Sequence, residues 1–503
     1  MSAFECDVVV VGGGTSGCVV AGRLACEGGL DVVVLEAGPD YGARGDGHWP
    51  ADLLDGGALV KSHDWSYESG PLPDRRPIAF SRARVIGGCS SHNGCVVAVG
   101  CADDYDAWAR IAGDDAWRAD ALRPLFARAL ARLRVRRYAA DEIGPYHRAC
   151  LEAAAAVGIV RADDLEDLDG RIGFGVEPVN VEGGVRVNAA FAYLDPARGS
   201  PGLVILDSTL CDRIVQRPGE VQVIARRGGE ELRVRAGRAV LAAGTYGTPA
   251  ILLRSGVGDP VELRAIGIDP VCELSGVGRN LHDHPVVELE YAGTERLREQ
   301  LRASASVRFT PEEQSLGKLC SSLASGPYDL HVIPVAAHEH SLLAGRVLIA
   351  VGAMEPRSRG RLHLRDPDPA SPPLIEHGYL TDAGGHDLAV LVEGMGLARK
   401  LAASEPLRSL IGPELVPGAD ADLAETIPRL HGHYYHPVGT CSMGVPADPL
   451  AVCDGRGRVR GLEGVHVADC SLMPVIPRAN TNIPAVVVGE RIADVMLGLE
   501  ARP

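Results

Sequence analysis

Three glycines and an acid carry the first chemistry in this chain. Gly12-x-Gly14-x-x-Gly17 follows a β-branched run at residues 7–11, and Glu36 stands 19 residues beyond Gly17. Between a strand and a helix, this spacing suits a dinucleotide. The first glycine permits a tight turn, the second lets backbone approach a pyrophosphate, and the third lets helix and strand pack closely. The helix start adds N–H donors and a positive dipole end. Glu36 would accept hydrogen bonds from ribose hydroxyls. The motif alone serves NAD and FAD equally.

Histidines form the second concentration of chemistry: His431, His433 and His436 in one cluster, His338 and His340 in another. Neither has the ligand set or spacing of a zinc site, so no metal is expected.

The segment Arg82-Ala83-Arg84-Val85-Ile86-Gly87-Gly88-Cys89-Ser90-Ser91-His92-Asn93-Gly94, followed by Asp104-Tyr105-Asp106-Ala107-Trp108, separates the two cofactors. It resembles the loop beside the flavin ring in the glucose–methanol–choline family of FAD enzymes. Thr248-Pro249, the turn at 276–285, His433-Tyr434-Tyr435-His436-Pro437, Asp469-Cys470-Ser471-Leu472-Met473-Pro474 and Asn480-Thr481-Asn482-Ile483-Pro484 resemble further signatures, in order over nearly all 503 residues. Cys89-Ser90-Ser91-His92-Asn93 is similar to the choline-oxidase branch.

The resemblance implies FAD, held at the N-terminal turn by Gly12, Gly14, Thr15, Ser16, Gly17 and Glu36. It extends the cofactor contacts to Arg84, Gly88, Ser91, His92, Asn93 and Gly94, then to Cys211, and finally to Asp469, Cys470, Asn482 and Ile483. In the choline-oxidase branch the histidine at His92 is joined to the flavin; the alternative here is a histidine only hydrogen-bonded near the ring. His436 falls at the family's catalytic base. An imidazole with a pKa near about 6.5 suits removal of a hydroxyl proton as the α-hydrogen leaves as hydride. Asn482 falls at the second active-site position, which orients the substrate oxygen. His431 and His433 are expected to pack beside the base. Pro484 suits the first turn of a closing helix, whose positive end would favour negative charge if it points at the flavin.

Departures from choline oxidases bear on the substrate. The stretch 303–310 is compared with the segment that carries their cation-facing glutamate and tryptophan, and its one ring is Phe309. Gly94 replaces a serine. Glu355 stands where they have histidine; it is expected either to meet an amine-bearing alcohol or to be salt-bridged. Tyr435 is placed with Glu355 against the substrate. The expected reaction is oxidation of a polar alcohol, such as an amino sugar rather than choline, with reoxidation by O₂ or a separate acceptor. Rival readings are a flavin lyase on the same fold and a nicotinamide-binding protein.

These residues need a scaffold. The strand at 7–11, the helix after Gly17 and the strand at 31–35 make one βαβ unit. The expected class is α/β: a Rossmann-like FAD-binding domain from 1–155, 196–295 and 433–503, with an interleaved α+β substrate-binding domain from 156–195 and 296–432. A net charge of −16 argues against nucleic acid and anionic membranes and is compatible with a cationic substrate. Thirteen cysteines without framework spacing read as reduced thiols. With no leader evident before Phe4 and no membrane-length apolar run, a cytoplasmic protein is expected, a homodimer being left open.

Overall fold

A seven-stranded sheet grows from the βαβ unit. In the computed structural model its order runs Leu203–Leu206, Val32–Leu35, Ser2–Val11, Glu230–Leu241, Glu220–Arg227 and Thr209–Arg217, with Val465–Val467 also pairing to Glu230–Leu241. The pairs at the nucleotide end are parallel, with Val10 opposite both Val34 and Val240. The last two strands return as antiparallel hairpins. Val8, Val9 and Val10 are fully buried, which is why an unbroken β-branched run reads as a strand covered on both faces. The structure describes residues 2–499 except 58, 71–76, 306–308, 310 and 337–344. His338 and His340 lie outside the described residues, as do Ser306, Val307, Arg308 and Thr310.

Helix Thr15–Glu27 packs against the closing helix Asn482–Leu497. A side chain on Gly489 would lie 2.9 Å from the Ser16 carbonyl oxygen, so the glycine permits the close crossing. The Ser16 hydroxyl donates to the Ala485 carbonyl at 2.7 Å. The last stretch of chain is thereby returned to the first βαβ unit.

The second sheet is antiparallel, in the order Ile411–Val416, Pro285–Gly293, Arg346–Ala353, Leu330–Ala336, Ser315–Leu319 and Gly173–Val176, with Gly432–His433 also pairing to Pro285–Gly293. Alternation divides its faces. Val287, Leu289, Val332, Ile349 and Val351 pack on helices Pro145–Ala156 and His386–Ala402. Val286, Leu316, Ile333 and Ala350 face the other way, onto Ala98 and Tyr434. That second face looks towards the loop beside His92.

Three segments fall on the other side of the expected domain boundaries. Pro145–Ala156 buries Tyr146, Ala149 and Cys150 in the core of the second sheet, and Pro285–Gly293 is a strand of it. Residues 189–194 join the first core instead. Each follows its apolar face rather than its place in the sequence. Among the described residues no helix is long and apolar enough to cross a membrane.

Candidate active site

The glycine turn is shaped by backbone contact. Gly12 has φ +101°, and a Cβ there would lie 2.4 Å from the Ala242 oxygen; on Gly17 it would lie 1.9 Å from the Gly12 oxygen. Gly14 is different, since a Cβ there meets nothing nearer than 3.7 Å. The turn is closed against its own sheet and open outward, where a pyrophosphate needs room. Glu36 is buried, with its carboxylate accepting from Gly13 N at 2.9 Å and Gly38 N at 2.7 Å. Burial raises its pKa, while those amides and Arg84 act in the opposite direction.

The loop at 82–94 is docked onto this turn. Gly87 N donates to the Gly13 carbonyl at 2.7 Å, and Thr15 Oγ1 donates to the Gly87 carbonyl at 3.5 Å. A Cβ on Gly88 would lie 2.7 Å from Gly14 Cα. Arg84 lies over the Trp65 ring at 4.7 Å, with Nε donating to the Ala37 carbonyl at 3.2 Å. Ser91 Oγ donates to the Ile86 carbonyl, and Asn93 Oδ1 accepts from Cys95 N, so both side chains also shape the loop. Gly94 faces only Leu59, at 3.7 Å. His92 is buried and its Nε2 meets the Ser62 carbonyl. Burial lowers its pKa and keeps it neutral.

Cys211 lies two residues beyond Thr209, whose N donates to the Glu36 carbonyl at 2.8 Å. Asp469 is committed internally: Oδ2 accepts from Thr248 Oγ1 at 2.6 Å and Gly244 N at 2.8 Å, and Oδ1 accepts from Ser471 N. It anchors the segment that carries Cys470. Ile483 is fully buried in the first core.

His436 and its surroundings form the reactive end. Its Nδ1 lies 3.1 Å from His284 Nδ1, and its Nε2 faces the Asn480 amide nitrogen at 3.5 Å. An amide N–H towards Nε2 makes that nitrogen the acceptor, so Nδ1–H donates to His284. This tautomer leaves Nε2 with the lone pair that a base needs. The backbone N of His436 donates to Asp283 Oδ1 at 2.9 Å, while Asp283 Oδ2 accepts from Tyr379 OH at 3.0 Å. The Tyr434 ring stands 4.3 Å away. Burial, then the neighbouring His284 and His331 and Arg82, holds His436 well below an ordinary histidine. Burial brings His284 down to about 3.

The positioning comes from both sheets. His282 accepts from Ile476 N at 2.9 Å, and Asn280 donates to the Pro474 carbonyl at 2.9 Å. Trp108 Nε1 donates to the Val475 carbonyl, and Asp104 pairs with Arg478. The segment 474–478 is therefore clamped just ahead of Asn480 and Asn482. Asn482 opens the closing helix, and its amide oxygen and nitrogen are buried without a protein partner. Such atoms are costly unless something else meets them.

Two expected substrate contacts fall elsewhere. Glu355 bonds Arg478 Nη2 at 2.9 Å and accepts from Ser325 Oγ at 2.8 Å, so the salt-bridged alternative is the one realised. Arg478 needs both acids because it is itself nearly buried. Tyr435 has φ +64° and is 43 % exposed, with its ring over His433 at 4.2 Å. The turned backbone aims it away from His436, and Tyr434 takes the inner place. His433 Nε2 meets the Ala79 carbonyl, and His431 packs on Tyr379. Asp283, His284 and His436 are the one metal-like trio among the described residues, and the hydrogen bonds above account for their approach. The sequence reading gave His284 and Asn480 no role; the signal was two histidines flanking an acid in His282-Asp283-His284, and the paired amides in Asn480-Thr481-Asn482.

Residues 6–286 match the N-terminal part of the GMC oxidoreductase family and residues 356–489 its C-terminal part. The chain belongs to the GMC oxidoreductase family. Choline oxidase of Arthrobacter globiformis is 31 % identical over 537 residues, spanning 100 % of this chain and 96 % of its own. An oxygen-dependent choline dehydrogenase of Paraburkholderia phymatum is 33 % identical, spanning 99 % and 93 %. Among solved structures, pyridoxine 4-oxidase from Mesorbium loti has a TM-score of 0.85 at 27 % identity, covering 97 % of this chain and 98 % of its own. Formate oxidase, at 21 % identity, shares the fold with a TM-score of 0.84 over 99 % of both chains.

This GMC oxidoreductase is an FAD-dependent enzyme acting on CH–OH donors. The open face of the glycine turn, the buried Glu36 and the unpartnered Asn482 amide fit FAD, which supplies a hydride acceptor when bound.

Proposed function

We propose that the substrate is a polar, amine-bearing alcohol, such as an amino sugar, oxidised to the carbonyl with His436 as base. One observation carries the assignment of the base: His436 is buried, with Nδ1 beside His284 and Nε2 turned to the amide of Asn480, and that burial favours the neutral ring. Nε2 takes the hydroxyl proton as the carbinol hydrogen leaves as hydride. Asn482 holds the substrate oxygen through its unpartnered amide, and the first turn of the closing helix adds a positive end nearby. Glu355 supplies none of the pocket's charge, being tied to Arg478.

Reoxidation by O₂ is favoured by the relatives named as oxidases and as an oxygen-dependent dehydrogenase. The test is to mix holoenzyme with choline, amino alcohols, amino sugars, polyols and aryl alcohols without oxygen, then to admit air. Amine-bearing alcohols are expected to bleach the flavin, and colour is expected to return quickly in air. Bleaching only by neutral alcohols overturns the substrate class, and failure of every alcohol overturns the reaction.

Attachment of FAD through His92 belongs to the same proposal. Joining an imidazole to the flavin needs the neutral ring, which burial secures, and the Ser62 carbonyl holds its orientation. After acid precipitation the wild-type protein is expected to keep its yellow colour, and His92→Asn to release it. Free flavin from both would leave His92 as a hydrogen-bonding neighbour only.

A further inference from the structure

The backbone ladder that carries the base has a fault in it. The chain leading into strand Pro285–Gly293 runs antiparallel to the catalytic segment, with Pro285 opposite His433 and Tyr434 N donating to the His284 carbonyl at 3.1 Å. Pairing resumes at His282 and Val438, where Val438 N donates to the His282 carbonyl at 2.9 Å and His282 N to the Val438 carbonyl at 3.2 Å. Tyr435, His436 and Pro437 thus stand opposite Asp283 alone. The chain bulges there, and Tyr435 takes φ +64°, a strained conformation for a residue with a side chain. Pro437 has no N–H, and its carbonyl accepts from Thr245 Oγ1 at 2.7 Å. The peptide between Tyr435 and His436 is left outside the ladder.

Side chains of opposite charge take its two polar ends. The Tyr435 carbonyl accepts from Arg82 Nη2 at 3.0 Å, and the His436 N–H donates to Asp283 Oδ1 at 2.9 Å. Both bonds are charge-assisted, which makes them the strong kind. They come from different elements. Arg82 opens the loop at 82–94, whereas Asp283 is buried between two histidines. Tyr379 OH holds the other Asp283 oxygen at 3.0 Å, and the Tyr379 ring is stacked on His377 at 4.8 Å. His377 Nε2 in turn meets Tyr246 OH at 2.7 Å, so the carboxylate is braced from behind. Burial pushes Asp283 up to about 6, and Arg82 leads the groups that draw it back towards the ionised form. The imidazole of His436 hangs from the atom next to the gripped N–H, so a turn of this peptide would carry the ring with it.

We infer that Arg82 and Asp283 are the positioning residues of the base: together they hold the Tyr435–His436 peptide, and through it they set where the His436 ring stands. The inference rests on His436 as base, as proposed above. Both side chains act through the backbone. Because Arg82 belongs to the same loop as His92, one clamp registers the base against that loop.

The test reads the peptide and the reaction separately, in holoenzyme. Hydrogen–deuterium exchange at the His436 amide is expected to rise at least about tenfold in Asp283→Ala, as for loss of a hydrogen bond to a charged group. The kinetic arm uses the alcohol of the panel above that bleaches the flavin fastest. Asp283→Ala and Arg82→Met are each expected to lower kcat at least about tenfold with KM unchanged, a misplaced group costing up to about a hundredfold. Asp283→Asn keeps an acceptor and Arg82→Lys keeps a donor, and each should recover most of the loss. Since both grips act on one peptide, the double variant should lose little more than either single one. Should Asp283→Ala not fold, Arg82→Met with Arg82→Lys as its control makes the same comparison. A His436 amide as protected in Asp283→Ala as in wild type overturns the proposal, and so do losses that multiply in the double variant. Wild-type kcat in both single variants overturns it too, and His436→Ala then tells which reading failed. If His436→Ala stops flavin reduction, the base stands and only the clamp falls; if it does not, the base reading falls first.

Discussion

His436→Ala is expected to lower kcat by about 10²–10⁴-fold, the range for losing a general base, while the flavin stays bound with an unaltered spectrum. The separation follows from the geometry. His436 meets the glycine turn nowhere; its bonds run to His284, Asn480 and Asp283. The backbone bond to Asp283 survives the substitution, so the segment 433–440 keeps its place. Stopped-flow reduction of the flavin would measure the loss directly. A variant that reduces flavin at the wild-type rate would move the base elsewhere, and one that loses flavin altogether would make His436 a structural residue.

The pH profile carries a second sign. Burial first, then His284, His331 and Arg82, disfavours the charged imidazolium at His436. A lowered pKa means that the base remains neutral as the solution is acidified. The acid limb of kcat/KM should therefore lie below the ordinary histidine value of about 6.5. An acid limb above that value would show that a carboxylate partner, not a set of neutral histidines, governs the base.

The nucleotide end was legible because it is local. Gly12, Gly14, Gly17 and Glu36 belong to one βαβ unit; Gly12 and Gly17 answer to backbone contacts within that turn and its sheet, and Gly14 to the open space beside it. The apolar run of Leu203–Leu206 is legible as a strand, whereas the single strand Glu230–Leu241 reads as two shorter ones, because charged residues at Arg235 and Arg238 interrupt the apolar run. The substrate end is made by long-range pairing and was less legible. Glu355 was left between a substrate contact and a salt bridge, because its partner Arg478 lies 123 residues away in sequence. Tyr434 and Tyr435 could not be told apart without the left-handed turn at Tyr435.

Gly88→Ala tests the weld between the two cofactor loops. Gly88 sits at φ +55°, where an L side chain is strained, and its Cβ would lie 2.7 Å from Gly14 Cα and 3.2 Å from Thr15 N. Both neighbours are backbone of the very turn that needs an open outer face, so neither can yield as a flexible side chain would. The strained conformation alone costs about 1–3 kcal/mol, and relief by moving the turn would displace the amides that would hold the pyrophosphate of FAD. FAD affinity is therefore expected to fall at least about tenfold, equivalent to about 1.4 kcal/mol, with colourless protein recovered on purification. Gly45→Ala is the control, because a Cβ there meets nothing within 4 Å and its φ lies outside the left-handed region. Fluorescence titration of FAD into apoprotein, with His92→Asn present in every protein compared so that attachment cannot mask affinity, separates the outcomes. Weakened binding in a folded Gly88→Ala protein locates the damage at the cradle. Wild-type affinity would mean that the loop can withdraw from the turn without cost, and that the contact between Gly88 and Gly14 does not set the shape of the site.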